Sequence, residues 1–149
     1  MNQSGKQYIA VAVFLAFSIY CVPVAGQSSF EAVNVVLSEW AVTPDKSTVN
    51  AGPVTFIVTN KGPADAHEFV VMKTALAPDS LLVDVDGNVE EDGPGVMLAG
   101  RAGGLAVGSA FRVTFELGRG DYVLICNIWD AAEREAHYSM GMRAALRVE

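Results

Sequence analysis

An all-β sandwich is the fold that this 149-residue sequence predicts, and three observations predict it. Short, β-branched apolar runs alternate with clusters of Gly, Pro, Asn and Asp, the rhythm of strands joined by turns. Phe111-Arg112-Val113-Thr114-Phe115-Glu116-Leu117 keeps a strict period of two, which turns Phe111, Val113, Phe115 and Leu117 to one face. Tyr122-Val123-Leu124-Ile125-Cys126 is a nearly continuous apolar run, the pattern of a buried strand.

The remaining elements follow in order. Val33-Asn34-Val35-Val36-Leu37 reads as the first strand, and Pro44-Asp45 and Asn50-Ala51-Gly52-Pro53 punctuate what comes next. Val54 to Thr59 alternates Thr with large apolar residues and stops at Asn60-Lys61-Gly62-Pro63. Glu68 to Met72 is a further strand, and Ala144 to Val148 closes the chain. Two segments break the rhythm. Asp84 to Gly108, rich in Gly, Asp and Glu, reads as a long surface excursion with little regular structure. Ile128 to Ala136 reads as a loop with a short helical turn, because Asp130 is a good N-cap, Glu133 stands three residues on and the alanines favour helix. No internal repeat or second domain is evident.

The N-terminus is a separate matter. Lys6, the apolar run Tyr8 to Tyr20 and the small residues Val24-Ala25-Gly26 make residues 1–26 an export signal. The alternative is its retention as a membrane anchor, although the run is short for a span of about 20 residues. Residues 27–149 then form one domain of a size that supports a full hydrophobic core. The signal inflates the apolar content of 51% and the mean hydropathy of +0.30. Without Lys6, 9 basic residues stand against 17 acidic ones, a net charge of −8. There is no basic patch with interleaved aromatics, which argues against a nucleic-acid partner. An acidic surface favours cationic partners, and simple solubility explains it equally well.

With Cys21 inside the signal, Cys126 is the remaining cysteine. A single thiol in an exported domain is a buried small hydrophobe, a reactive group or a metal ligand. The chain has two histidines, His67 and His137, and Met140 and Met142 follow the second. One Cys, two His and one Met make up the ligand set of a blue-copper electron-transfer site: imidazole suits copper(II), while thiolate and thioether suit copper(I). The order of the residues fits. Cys126 ends a buried strand, His137 lies on the loop beyond it, Met142 begins the last strand, and His67 comes from a distant strand end. His67 by itself would read as a structural residue. Trp40 and Trp129 read as packing residues, Met72 and Met97 as core or loop apolar residues, and Glu133 and Glu135 as solvated loop charges.

Three segments resemble one family. Val54 to Gly62 leading into His67-Glu68-Phe69-Val70-Val71, Gly120-Asp121-Tyr122-Val123-Leu124-Ile125-Cys126-Asn127, and His137-Tyr138-Ser139-Met140-Gly141-Met142 together resemble the cupredoxins, the blue copper proteins related to plastocyanin, azurin and rusticyanin. The resemblance spans nearly all of the mature chain. It implies a Greek-key sandwich, one bound copper ion, His67, Cys126 and His137 as the strong ligands and Met142 as the axial one, with Met140 the alternative. It also implies electron transfer through an exposed edge of His137. Two departures stand out. Ten residues separate Cys126 from His137, where familiar members place only a few. Glu68 occupies the position at which several relatives carry an Asn that ties the ligand loops together, and Asn127 is a candidate substitute.

The function that follows is a one-electron carrier, cycling between Cu(I) and Cu(II), exported to the periplasm or the extracellular side. No enzyme activity is expected, since both histidines are committed to metal and no nucleophile–base pair is evident. Its partners would be redox proteins such as a cytochrome or a copper oxidase, met as a monomer in weak, transient complexes. The alternatives are copper delivery or storage, a copper enzyme with an open coordination position, and a metal-free interaction domain on the same scaffold.

Overall fold

Two stacked sheets account for the alternating runs, and the turn residues decide where each strand stops. The computed structural model describes Met1 and residues 31–149. The expected export signal, including Cys21, therefore lies outside the described residues apart from Met1. In chain order the strands are β1 (Glu31–Ser38), β2 (Ala41–Pro44), β3 (Thr48–Val49), β4 (Gly52–Asn60), β5 (His67–Thr74), β6 (Val96–Leu105), β7 (Ala110–Leu117), β8 (Gly120–Ile125), β9 (Trp129–Asp130), β10 (Glu135–Ala136) and β11 (Arg143–Val148). Among the described residues a single short helix, α1 (His137–Met140), precedes β11.

The first sheet has the order β2-β1-β4-β7 and the second β3-β11-β8-β5-β6. β1 pairs with β4 in parallel and β3 with β11 likewise, while the other pairings within the two sheets are antiparallel. The connections β2–β3, β3–β4, β4–β5, β6–β7 and β7–β8 cross from one sheet to the other, the Greek-key sandwich that the sequence led us to expect. Val33, Val35 and Leu37 from β1 and Val54, Phe56 and Val58 from β4 face Phe69 and Val71 from β5, Leu124 from β8 and Leu146 from β11. Phe56 and Phe69 meet across the sheets with ring centroids 5.0 Å apart. Each such buried side chain contributes roughly 1.5–3 kcal/mol relative to exposure.

Residues Tyr122 to Cys126 are apolar throughout because both faces of β8 are covered. Tyr122, Leu124 and Cys126 enter the core between the sheets, whereas Val123 and Ile125 join a second cluster with Val70, Met72, Leu81, Val89 and Tyr138. This second cluster lies on the outer face of the five-stranded sheet, where Leu81 and Val89 cover it.

The structure corrects two expectations. Asp84 to Gly108 is not a mere excursion: it contains β6, ten residues long, which pairs with β5. Three glycines, Gly100, Gly103 and Gly104, hide β6 from a propensity reading, and the pairing itself holds the strand. Gly100 is required there, because a Cβ would lie 2.3 Å from the ring of Phe115. Ile128 to Ala136 is a ribbon of β9 and β10 rather than a helical turn. Asp130 does accept the Ala132 and Glu133 amides at 2.7 and 3.1 Å, as an N-cap would. Arg134, at φ 59, then reverses the chain so that Glu135 pairs with Asp130. The helical turn falls one step later, as α1. Among the described residues, no helix is long and apolar enough to cross a membrane.

Candidate metal centre

One end of the sandwich gathers the residues singled out in the sequence. Cys126 follows the last residue of β8, His137 opens α1, and Met142 directly precedes β11. Main-chain hydrogen bonds stitch this loop to itself. The Cys126 amide donates to the Met142 carbonyl at 3.1 Å, the Met142 amide to the His137 carbonyl at 3.0 Å, and the His137 amide to the Ile128 carbonyl at 2.9 Å. Gly141 makes the last corner at φ 128, and a Cβ there would meet the Trp40 carbonyl at 3.0 Å. Only glycine suits both conditions. His67 arrives from the other side as the first residue of β5, at a register shift in its pairing with β6.

The donors converge. One atom from each of His67, Cys126 and His137 lies within 4.8 Å of the other two, and all three residues are buried. The two Nδ1 atoms are 3.2 Å apart, and Cys126 Sγ is 3.4 Å from His137 Nδ1 and 3.9 Å from His67 Nδ1. The imidazole planes stand 75° apart. Among the described residues no carboxylate oxygen joins this group of donors, so the set suits a borderline or soft transition ion and not calcium or magnesium. Met142 is fully buried in the main core, whereas Met140 is 42% exposed on α1.

Burial dominates the electrostatics. It lowers both histidines below their usual range, with the neighbouring carboxylates opposing the shift. It pushes the Cys126 thiol up to about 11, against the opposing pull of the Glu68 and Ile128 amides. Near neutral pH the metal-free site therefore holds neutral imidazoles and a protonated thiol. A cation bound by the thiolate would have to displace that proton.

Around the donors, the loop ties differ from those expected. Glu68 itself links the ligand segments: its amide donates to Cys126 Sγ at 3.3 Å, and its Oε1 accepts the Asn127 amide at 3.2 Å. Burial raises the pKa of Glu68, opposed by Arg101, which pairs with both Glu68 and Glu91. Asn127 ties a different pair of segments. Its Oδ1 accepts the Val89 amide at 2.7 Å, and its Nδ2 donates to the Val89 carbonyl at 3.0 Å and to Glu91 at 2.9 Å. The 84–91 segment is thereby anchored beside the cysteine. It also reaches α1, where Ser139 Oγ donates to the Gly87 carbonyl at 2.7 Å. Just upstream of it, the Tyr138 hydroxyl donates to the Pro78 carbonyl at 2.8 Å and accepts the Leu81 amide at 3.2 Å.

Two residues that bear on the site had no distinguishing signal in the sequence. Asn60 looked like turn punctuation, yet it is fully buried and organises the loop into His67. Its Nδ2 donates to the carbonyls of Asp65 and Leu105 at 2.7 and 2.9 Å, and its Oδ1 accepts the Gly62 amide at 2.7 Å. Glu39, in the link between β1 and β2, accepts the Ala64 and Asp65 amides at 3.1 and 2.7 Å. The exposed edge expected of His137 is absent. The residue is 1% exposed, and the half-buried Trp40 packs edge-on against its ring at 5.2 Å.

No protein-family model and no curated protein matches the sequence. Solved structures do match. The chain is similar to a dithionite-reduced auracyanin from the photosynthetic bacterium Roseiflexus castenholzii, at 23% identity over 83% of this chain and 99% of that one, with a TM-score of 0.54. Auracyanin B is similar at 19% identity over 84% and 93% of the two chains, with a TM-score of 0.52. Auracyanin A from Chloroflexus aurantiacus, a "blue" copper protein, is similar at 18% identity over 79% and 98%, with a TM-score of 0.51. The described residues thus share the cupredoxin fold of these proteins.

Proposed function

We propose that this protein is a type 1 copper protein serving as a one-electron carrier, with His67 Nδ1, Cys126 Sγ and His137 Nδ1 as the strong ligands and Met142 as the axial one. The convergence of two buried imidazoles and a buried thiol within 4.8 Å supports this reading above all else. When bound, copper supplies a Cu(I)/Cu(II) couple that gains and loses one electron. The chain supplies a fixed, dry cage. The carbonyl–amide bonds among Cys126, Ile128, His137 and Met142 hold three of the four side chains relative to one another. Asn60 fixes the approach to the fourth. Such a cage resists rearrangement between oxidation states and keeps water from the thiolate. Burial of all three donors favours a carrier over an enzyme, whose metal keeps a position open to substrate. It is Met142 and not Met140 that lies in the core, which supports its axial role.

Such an ion would sit at the end of the sandwich that carries β9 and β10. Asp130 and Glu135, which flank His137 electrostatically, give that end an acidic rim suited to a cationic redox partner. With residues 1–26 read as an export signal, such encounters would take place in the periplasm or outside the cell. One equivalent of copper(II) added to the metal-free protein should produce an intense visible band from sulfur-to-copper charge transfer. Cys126→Ser should abolish it while leaving the fold intact by circular dichroism. A variant that kept the band would refute the assignment.

A further inference from the structure

The two nitrogens of a neutral imidazole cannot do the same work: one offers a lone pair and the other carries the proton. For His67 Nδ1 to present a lone pair toward Cys126 and His137, its proton must sit on Nε2. That nitrogen is fully buried and has no hydrogen-bond partner among the described residues. The acidic group beside it is Glu39, whose Oε1 lies 3.6 Å from Nε2. This separation is an ion-pair distance, longer than a hydrogen bond. The Glu39 carboxylate is not free to swing away, because the Ala64 and Asp65 amides hold Oε1. Its other oxygen, Oε2, is buried and also lacks a partner among the described residues. An orphaned donor nitrogen and an anchored carboxylate with an orphaned oxygen thus stand together at the back of His67.

The opposite side of the ring completes the argument. His67 Nδ1 and His137 Nδ1 are 3.2 Å apart, a hydrogen bond only when one of the two carries hydrogen. A carboxylate behind His67 assigns the roles: His67 keeps its proton outside and accepts at Nδ1, and His137 donates from its own Nδ1. Carboxylates placed behind metal-binding imidazoles fix tautomer and ring orientation in this way.

We propose that Glu39 is a positioning residue, whose carboxylate holds His67 in the Nε2–H tautomer with Nδ1 turned toward the metal. This rests on reading His67 as a ligand, and the test separates the two claims. Glu39→Gln is the informative variant. Its amide oxygen can still accept the Ala64 and Asp65 amides, while the negative charge beside His67 Nε2 is lost and with it the bias toward the Nε2–H tautomer. In the full metal-free chain, nitrogen-15 NMR should find His67 as Nε2–H in the wild type and shifted toward Nδ1–H in the variant. Affinity for zinc, which binds without redox chemistry, should fall about 10–100-fold. A variant that keeps the Nε2–H tautomer and the wild-type zinc affinity would overturn the proposal and leave Glu39 as an anchor for the Ala64–Asp65 loop. A wild-type His67 found as Nδ1–H would overturn it without any variant. Wild-type protein that binds neither zinc nor copper would sink the copper reading, while the tautomer shift would still decide the role of Glu39.

Discussion

Asn60 and Glu68 show how single side chains shape the candidate site without supplying one of its donor atoms. Asn60 satisfies two carbonyls and one amide in a fully buried position. Asn60→Ala would leave all three without that partner, so it should destabilise the metal-free protein by about 1–3 kcal/mol, measured by denaturant unfolding. Burial holds the Cys126 thiol up, and the negative charge that Glu68 brings to the cysteine segment adds a smaller push in the same direction. Glu68→Gln keeps the backbone link to Cys126 Sγ and the oxygen that Asn127 uses. It should therefore lower the apparent pKa of Cys126 slightly from about 11, burial still keeping it above the ordinary 9.0, read as the pH profile of thiol alkylation in metal-free protein. The same change should raise the reduction potential of the copper-loaded protein, because a lost negative charge disfavours the more positive ion. An unchanged alkylation profile would mean that Arg101 already neutralises the carboxylate.

Among the elements, α1 and its flanking corners matter most for the geometry. The helix has one turn and no side-chain cap, so propensity alone would not sustain it. It is held from outside, by Tyr138 against Pro78 and Leu81 and by Ser139 against Gly87. The 75–91 stretch is in this sense a brace for the ligand loop as well as a cover for the outer sheet face. Gly141, the corner after α1, combines φ 128 with close approach to Trp40. Gly141→Ala should cost about 1–3 kcal/mol and should weaken metal binding as well, because the corner sets where Met142 enters the core. Thermal unfolding with and without zinc separates the two effects. Equal losses in both would show that the corner serves stability alone.

At the scale of the whole molecule, the buried donors couple folding to pH. Both histidines have pKa values depressed below 6.5 in the folded state. Their contribution to stability is therefore fully present above pH 6.5 and is lost as the pH falls through the folded values. Cys126 acts in the opposite sense. Its folded pKa of about 11 exceeds the ordinary 9.0, so its contribution is present below pH 9.0 and disappears as the pH rises toward 11. Metal-free protein should be most stable between these limits, as chemical denaturation across the range would show. A metal that binds only the folded state adds about 2.7 kcal/mol at a hundred times its dissociation constant. The fold class and strands such as Phe111–Leu117 were legible because a period of two and turn residues are local signals. Cys126, His137 and Met142 were legible as candidate donors because one loop contains them all. β6 was not legible, since its glycines deny it a pattern and pairing with β5 alone makes it a strand. Nor was the ribbon of β9 and β10, where Asp130 capped a turn as expected but the reversal at Arg134 took the chain elsewhere. The sequence by itself therefore determined the sandwich and which residues carry candidate donor atoms, because periodicity and residue chemistry are written along the chain. Only the tertiary structure decided that His137 is covered by Trp40, that Glu68 ties the ligand segments, and that Glu39 stands behind His67. These are contacts between residues dozens of positions apart, set by how two sheets and their loops pack.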